Sequence, residues 1–130
     1  MTLQERCDAF NAAYAKWPAS HLYIVQEQGR DVIYGRWLIG QNYQNKSRYY
    51  GAYPPTFIDR VRAMFPDVRD RHLLHVFAGE LPKGNYTRLD IKPNLEPEIC
   101  GSVYDIATLT PRRDFKLVMA DPIYTAADAK

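Results

Sequence analysis

The sequence predicts an α/β fold with a mostly parallel sheet, and three features carry that prediction. Four short apolar runs occupy its second half: LLHVF (73–77), YTRLDI (86–91), EICGSV (98–103) and FKLVMA (115–120). None alternates strictly between apolar and polar, which suits strands buried on both faces. Each is followed within two residues by Gly, Pro or Asp. Two stretches of helical periodicity, each closed by a proline, come before them.

Size and composition permit such a fold. At 130 residues the chain has the length of one ordinary domain, long enough for a core without disulfide or metal staples. With 46% apolar residues, 25% charged residues and a net charge of +2, it lies near globular averages, which excludes wholesale disorder and a fibrous repeat. No apolar run approaches the roughly 20 residues of a membrane span. The first ten residues, MTLQERCDAF, lack an apolar signal stretch, and Cys7 and Cys100 lie too far apart to suggest a secreted scaffold. A cytoplasmic address with no membrane partner is expected.

Leu3, Phe10, Ala13, Tyr14 and Trp17 recur at helical spacing, so residues 3–15 form an amphipathic helix stopped before Pro18. The runs 21–26 and 32–39 are rich in β-formers and flank Gln28-Gly29-Arg30-Asp31, where Gly29 supplies the positive φ of a tight turn; this predicts a hairpin. The segment QNYQNKSRYYGAYPP (41–55) has neither helical nor strand period and reads as a loop. Pro55 then opens a second helix with Phe57, Ile58, Val61, Met64 and Phe65 on one face, closed by Pro66.

Charge concentrates in the middle of the chain. Residues 36–62 hold Arg36, Lys46, Arg48, Arg60 and Arg62 against Asp59 alone, five cations to one acid, interleaved with Tyr43, Tyr49, Tyr50 and Tyr53. Cations among flat rings suit a phosphate backbone with exposed bases, making Lys46, Arg48, Tyr49 and Tyr50 candidate nucleic-acid contacts. The same pattern also describes a solvated basic face with tyrosines on the aliphatic stems, or a brace for a neighbouring pocket.

The strands after Leu73 are joined by short connections. Only residues 78–85 separate the first run from the second, too few for a crossover helix. Eight extended residues nevertheless reach about 26 Å, whereas a five-residue strand is about 17 Å long. A bare loop can therefore return the chain in parallel, and the two N-terminal helices are expected to cover the sheet in place of the missing crossover helices. The domain organisation is a single domain, 1–130, in which 1–72 supplies helices, hairpin and tyrosine-rich segment and 73–130 the strands.

The last strand runs into Ala120-Asp121-Pro122-Ile123-Tyr124. An acid at a strand's carboxyl end, followed by proline and an aromatic, projects a stiff turn where open α/β sheets bind ligands. The segment LVMADPIY resembles the Asp-Pro-Pro-Tyr motif of the S-adenosylmethionine-dependent methyltransferases that modify exocyclic amino groups of nucleic-acid bases. His75-Val76-Phe77-Ala78-Gly79 resembles that family's first motif, where a strand turns closely past the methionine portion of the cofactor. Leu89-Asp90-Ile91 resembles the second-strand acid that accepts hydrogen bonds from ribose hydroxyls. Gly101-Ser102-Val103-Tyr104-Asp105 resembles the third-strand segment that meets the adenine amine. The resemblance covers residues 73–124 and is nearest to compact DNA adenine methylase-like proteins of phage and bacterial genomes, whose tyrosine-rich segment residues 36–55 also resemble.

What the resemblance implies is a Rossmann-like methyltransferase fold. Phe77, Ala78, Gly79, Asp90, Ile91, Tyr104 and Asp105 would bind S-adenosylmethionine, while Asp121, Pro122 and Tyr124 would be catalytic, on adenine in DNA or on a base in RNA. Two departures bear on it: Ile123 stands in place of the second proline, and the first motif has one glycine. The family's sheet continues with a fifth strand and an antiparallel pair, whereas six residues follow Tyr124 here. The expectation is therefore an incomplete carboxyl-terminal half, with an open sheet edge that invites pairing into a homodimer.

Other readings use the same residues. Asp121-Pro122 also describes a strand-ending turn, and Asp90 a solvated acid beside Arg88 or Lys92. Cys100, in an apolar run, suits the core better than nucleophilic work, and His72 with His75 lacks the clustered acid or thiol that zinc requires. A nicotinamide-dependent oxidoreductase would need a G-x-G-x-x-G turn, which the sequence lacks. A catalytically inactive nucleic-acid-binding or adaptor protein on the same fold is the alternative function.

Overall fold

The computed structural model describes residues 1–37, 53–54 and 56–120. The described chain divides into two compact units, 1–37 with 54 and 56–67, and 53 with 68–120. The change of sequence texture at Leu73 marks this division to within a few residues. Each unit has an apolar cluster of its own.

In the first unit, helix α1 (Leu3–Ala13) begins with a reciprocal cap. The Glu5 amide donates to Thr2 Oγ1 at 3.1 Å and the Thr2 amide donates to the Glu5 carboxylate at 2.6 Å, satisfying two of the helix's orphan donors. The hydroxyl and amide of Thr2 hold the Glu5 carboxyl below its ordinary value. Strands β1 (Tyr23–Glu27) and β2 (Arg30–Tyr34) form the expected hairpin, antiparallel and with Glu27 opposite Arg30. The turn is tighter than the sequence indicates, because Gln28 and Gly29 both take positive φ, 49° and 75°, and close a two-residue loop. Strand β2 consequently starts two residues early.

Helix α2 (Phe57–Met64) follows Thr56, which sits at φ 67°; Pro55, expected to open the helix, lies outside the described residues. Its buried face packs into the cluster of Cys7, Phe10 and Leu22, to which Tyr14, Ile24, Ile33, Trp37, Ala63 and Met64 are added. Burial pushes the Cys7 thiol up. The Asn11 side-chain amide pairs with both backbone groups of Leu22, at 2.8 and 2.7 Å, and fastens the helix to the start of the hairpin. Arg6 reaches Asp67 at 2.8 Å and the Met64 carbonyl at 3.1 Å. This corrects the expectation that the two helices replace crossover helices: their apolar faces are used within their own unit.

The second unit holds β3 (Leu73–Val76), β4 (Thr87–Asp90), β5 (Ile99–Cys100), the short helix α3 (Ile106–Leu109) and β6 (Leu117–Ala120). The four strands make one parallel sheet in the order β5-β4-β3-β6. The return from β3 to β4 is made without a helix, as its reach allows. Strand β5 is far shorter than its apolar run, because the chain bends at Ser102, whose hydroxyl accepts from the Tyr104 amide, into a 3-10 turn over Val103–Asp105.

One face of the sheet buries Leu74, Val76 and Leu89 against Phe77, Ile99, Val103, Ile106 and Phe115, so the β5–β6 connection provides its cover. On alternate positions, His75, Arg88 and Met119 are paired in register and all buried. No described helix is long and apolar enough to cross a membrane.

Candidate functional site

Because the strands are parallel, their carboxyl ends share one edge. Strand order reverses there between β3 and β6: β4 and β5 step away on one side of β3, and β6 is added on the other. That reversal is where open α/β sheets leave a crevice for ligands.

The turn leaving β3 is unusual. Phe77 and Gly79 both take φ of 56°, and Phe77 does so with a bulky side chain that anchors in the apolar cluster. Such a conformation costs a non-glycine residue of order 1 kcal/mol and persists only where its surroundings enforce it. Three hydrogen bonds do so. The Ala78 amide donates to the Leu89 carbonyl at 3.1 Å, the Leu81 amide to the Ala78 carbonyl at 3.1 Å, and the Gly79 amide to Asp90 Oδ2 at 2.9 Å. Gly79 and Asp90, two positions singled out for the same ligand, are thus in direct contact.

The second oxygen of Asp90 accepts from the Lys92 amide at 3.0 Å, and its carbonyl accepts from the Gly101 amide at 3.0 Å. Asp90 therefore joins the segments after β3, β4 and β5. A carboxylate offers about four acceptor sites, so two main-chain bonds leave capacity for ligand hydroxyls. Ile91 follows it, 64% exposed. Tyr104 is 94% exposed, and Asp105, also exposed, precedes α3. The structure thus brings Phe77, Ala78, Gly79 and Asp90 together, while Tyr104 and Asp105 stand in the 3-10 turn after β5.

Asp121, Pro122 and Tyr124 lie outside the described residues, as do Lys46, Arg48, Tyr49 and Tyr50. The last described residue, Ala120, pairs with Val76, directly before the Phe77 turn. Of the basic stretch, Arg60 is not a surface cation: it is buried, stacked 4.8 Å over the Tyr14 ring, with Nε on the Thr56 hydroxyl at 3.4 Å.

Sequence reasoning missed the residue that replaces crossover helices. Arg88, buried in β4, donates from Nη1 to the Leu81 carbonyl at 2.8 Å, from Nη2 to the Glu96 carbonyl at 2.9 Å, and from Nε and Nη2 to the Glu98 carboxylate at 2.6 to 3.1 Å. One guanidinium holds the connections on both sides of β4. These hydrogen bonds lower the Glu98 carboxyl from its ordinary value and raise the guanidinium. Also missed was the aromatic set around His75, whose Nδ1 lies 3.0 Å from the Tyr53 hydroxyl and whose ring meets Tyr86 edge-on at 4.8 Å. Burial pushes the Tyr86 phenol up.

No family model, curated protein or solved structure matches this chain.

Proposed function

We propose that this chain is an S-adenosylmethionine-dependent methyltransferase acting on the exocyclic amino group of a nucleic-acid base, adenine in DNA being the first candidate. The single observation that supports it most is the Gly79–Asp90 contact, which joins the ends of β3 and β4 beside the reversal of strand order. The order β5-β4-β3-β6 corresponds to the 3-2-1-4 strands of the doubly wound order, which supports a Rossmann-like reading. In that arrangement the first turn passes close to the ligand and the acid ending the next strand serves ribose hydroxyls.

The residues fit such a cofactor in kind. Gly79 brings no side chain to a turn where the methionine portion would lie, and Asp90 keeps acceptor capacity. When bound, S-adenosylmethionine supplies an electrophilic methyl on a sulfonium. Asp121 and the Pro122 carbonyl would accept the two hydrogens of the target amine and draw its lone pair out of conjugation. Tyr124 would stack on the base, flipped from its duplex. Alignment and charge placement would carry the rate, so no covalent nucleophile is needed.

Calorimetric titration with S-adenosylhomocysteine tests this reading. Micromolar affinity supports it, and silence at millimolar ligand rejects it. The inactive-adaptor reading is favoured by a different fact: both Asp90 oxygens already accept main-chain amides, which a purely structural brace would also do. On that reading nucleic-acid affinity persists without cofactor binding.

A further inference from the structure

The opposite edge of the sheet carries a different chemistry. Residues 69–72 lead into β3 and 112–116 into β6, and the parallel pairing Leu73↔Leu117 sets these segments side by side. They are tied together by the Lys116 amide on the His72 carbonyl at 2.8 Å and by Arg112 Nη2 on the Arg71 carbonyl at 2.6 Å. They hold five cations, Arg69, Arg71, Arg112, Arg113 and Lys116, against Asp70 and Asp114, a net of +3. The other described residues of the same unit hold three cations against five acids, a net of −2. Charge in this unit is segregated, with the basic part at the amino ends of the neighbouring strands β3 and β6.

We propose that this basic edge is a docking surface for the phosphate backbone of a nucleic acid, a surface distinct from the tyrosine-rich stretch. It goes beyond the function proposed above, because it lies at the end of the strands opposite Gly79 and Asp90, and it stands on geometry independent of any cofactor. Arg112 lies over the Phe115 ring, 4.5 Å from its centroid, and is bonded to both Asp114 oxygens at 3.0 and 3.1 Å, so Asp114 is already neutralised within the edge. Arg113 donates to the carbonyls of Ala107, Thr110 and Arg112 and has no acid partner among the described residues. Arg69 and Lys116 are exposed, with no side-chain hydrogen bond or ion pair among the described residues, and Arg71 uses only Nε, on His72.

Four of the five cations are arginines, whose planar donor forks match phosphate oxygens. Neither segment exposes a large apolar side chain, which a lipid surface or a protein interface core would require. Several fixed cations along one rim fit a repeating anion.

The test is fluorescence anisotropy of a labelled 20-base-pair duplex at about 50 mM salt, where backbone contacts dominate affinity. Arg69→Glu/Lys116→Glu is expected to weaken binding at least tenfold and to flatten the slope of log affinity against log salt by about two. Lys83→Glu/Lys92→Glu, with the same change in net charge, is expected to stay within about threefold of the parent. Circular dichroism melting checks folding, and Arg69→Gln/Lys116→Gln gives the same comparison should the glutamates unfold the chain. Equal loss in both double variants overturns the proposal. So does a parent chain that fails to bind the duplex, or one that instead binds anionic vesicles through this edge. Because no cofactor is present, these outcomes are separable from failure of the methyltransferase reading.

Discussion

The Gly79 amide is 2.9 Å from Asp90 Oδ2, so the turn that leaves the first strand of the sheet is shaped by the acid that ends the second. This contact puts a left-handed turn and a carboxylate at the place where strand order reverses, without a crossover helix to hold them there. The turn, the acid and any ligand hydroxyl would share one small hydrogen-bond network.

Asp90→Ala removes the acceptor of two main-chain amides, one of them in the buried Gly79. Leaving a buried donor unpaired costs about 1–3 kcal/mol, so thermal melting should fall by several degrees. Affinity for S-adenosylhomocysteine should fall at least tenfold. A variant that melts lower yet binds the ligand unchanged would make Asp90 a brace only.

Asp121→Ala separates chemistry from binding. It should abolish methyl transfer to unmethylated DNA while S-adenosylhomocysteine affinity stays within a few fold. Equal loss of both in the same preparation would refute the role given to Asp121.

Arg88→Met should be the most damaging single change in the sheet unit. Removing one partner of a fully buried pair costs about 3–5 kcal/mol, and the part-exposed Glu98 reduces this to roughly 2 kcal/mol. The pH dependence has a definite sign. The Glu98 carboxyl is held below its ordinary 4.5 by Arg88, so its contribution is fully present above that value and is lost as pH falls through the lower folded value. Urea melts should show parent and variant well separated at pH 7 and converging below pH 4.5; a constant gap would count against this pair.

Asn11→Ala breaks the paired amide bonds to the Leu22 backbone. The unpaired buried backbone groups should cost about 1–3 kcal/mol, read as a lower denaturant midpoint. Hairpin signals at Tyr23 and Tyr34 should broaden before those of the parallel sheet. No change in midpoint would show that water replaces the amide.

The elements legible in the sequence were those fixed by local chemistry. Gly29 announced the hairpin turn, Pro66 bounded the second helix, and the four apolar runs located the strands, whereas the first helix ends at Ala13, two residues before its expected end at 15, and Pro18 opens a 3-10 turn. The parallel pairing was indicated by the lack of strict alternation in those runs, and the reach of a bare loop permitted it. What the sequence hid was set by distant partners. Arg88 reads as one more charged residue until the fold brings Leu81, Glu96 and Glu98 to it, and Arg60 reads as a surface cation until Tyr14 covers it. The basic edge was hidden for the same reason: residues 69–72 and 112–116 lie forty positions apart and meet only through the β3–β6 ladder. Of the candidate site, Gly79 and Asp90 were legible because each closes a strand, whereas their hydrogen bond depends on a positive φ at Phe77 that no sequence rule suggests.

The most direct measurement is an amide-resolved magnetic resonance titration of the chain with S-adenosylhomocysteine. Saturable shifts are expected at Gly79, Ile91 and Tyr104, with the hairpin amides of residues 23–34 unmoved. Silence at these three amides at millimolar ligand, or shifts confined to the hairpin, would contradict this expectation.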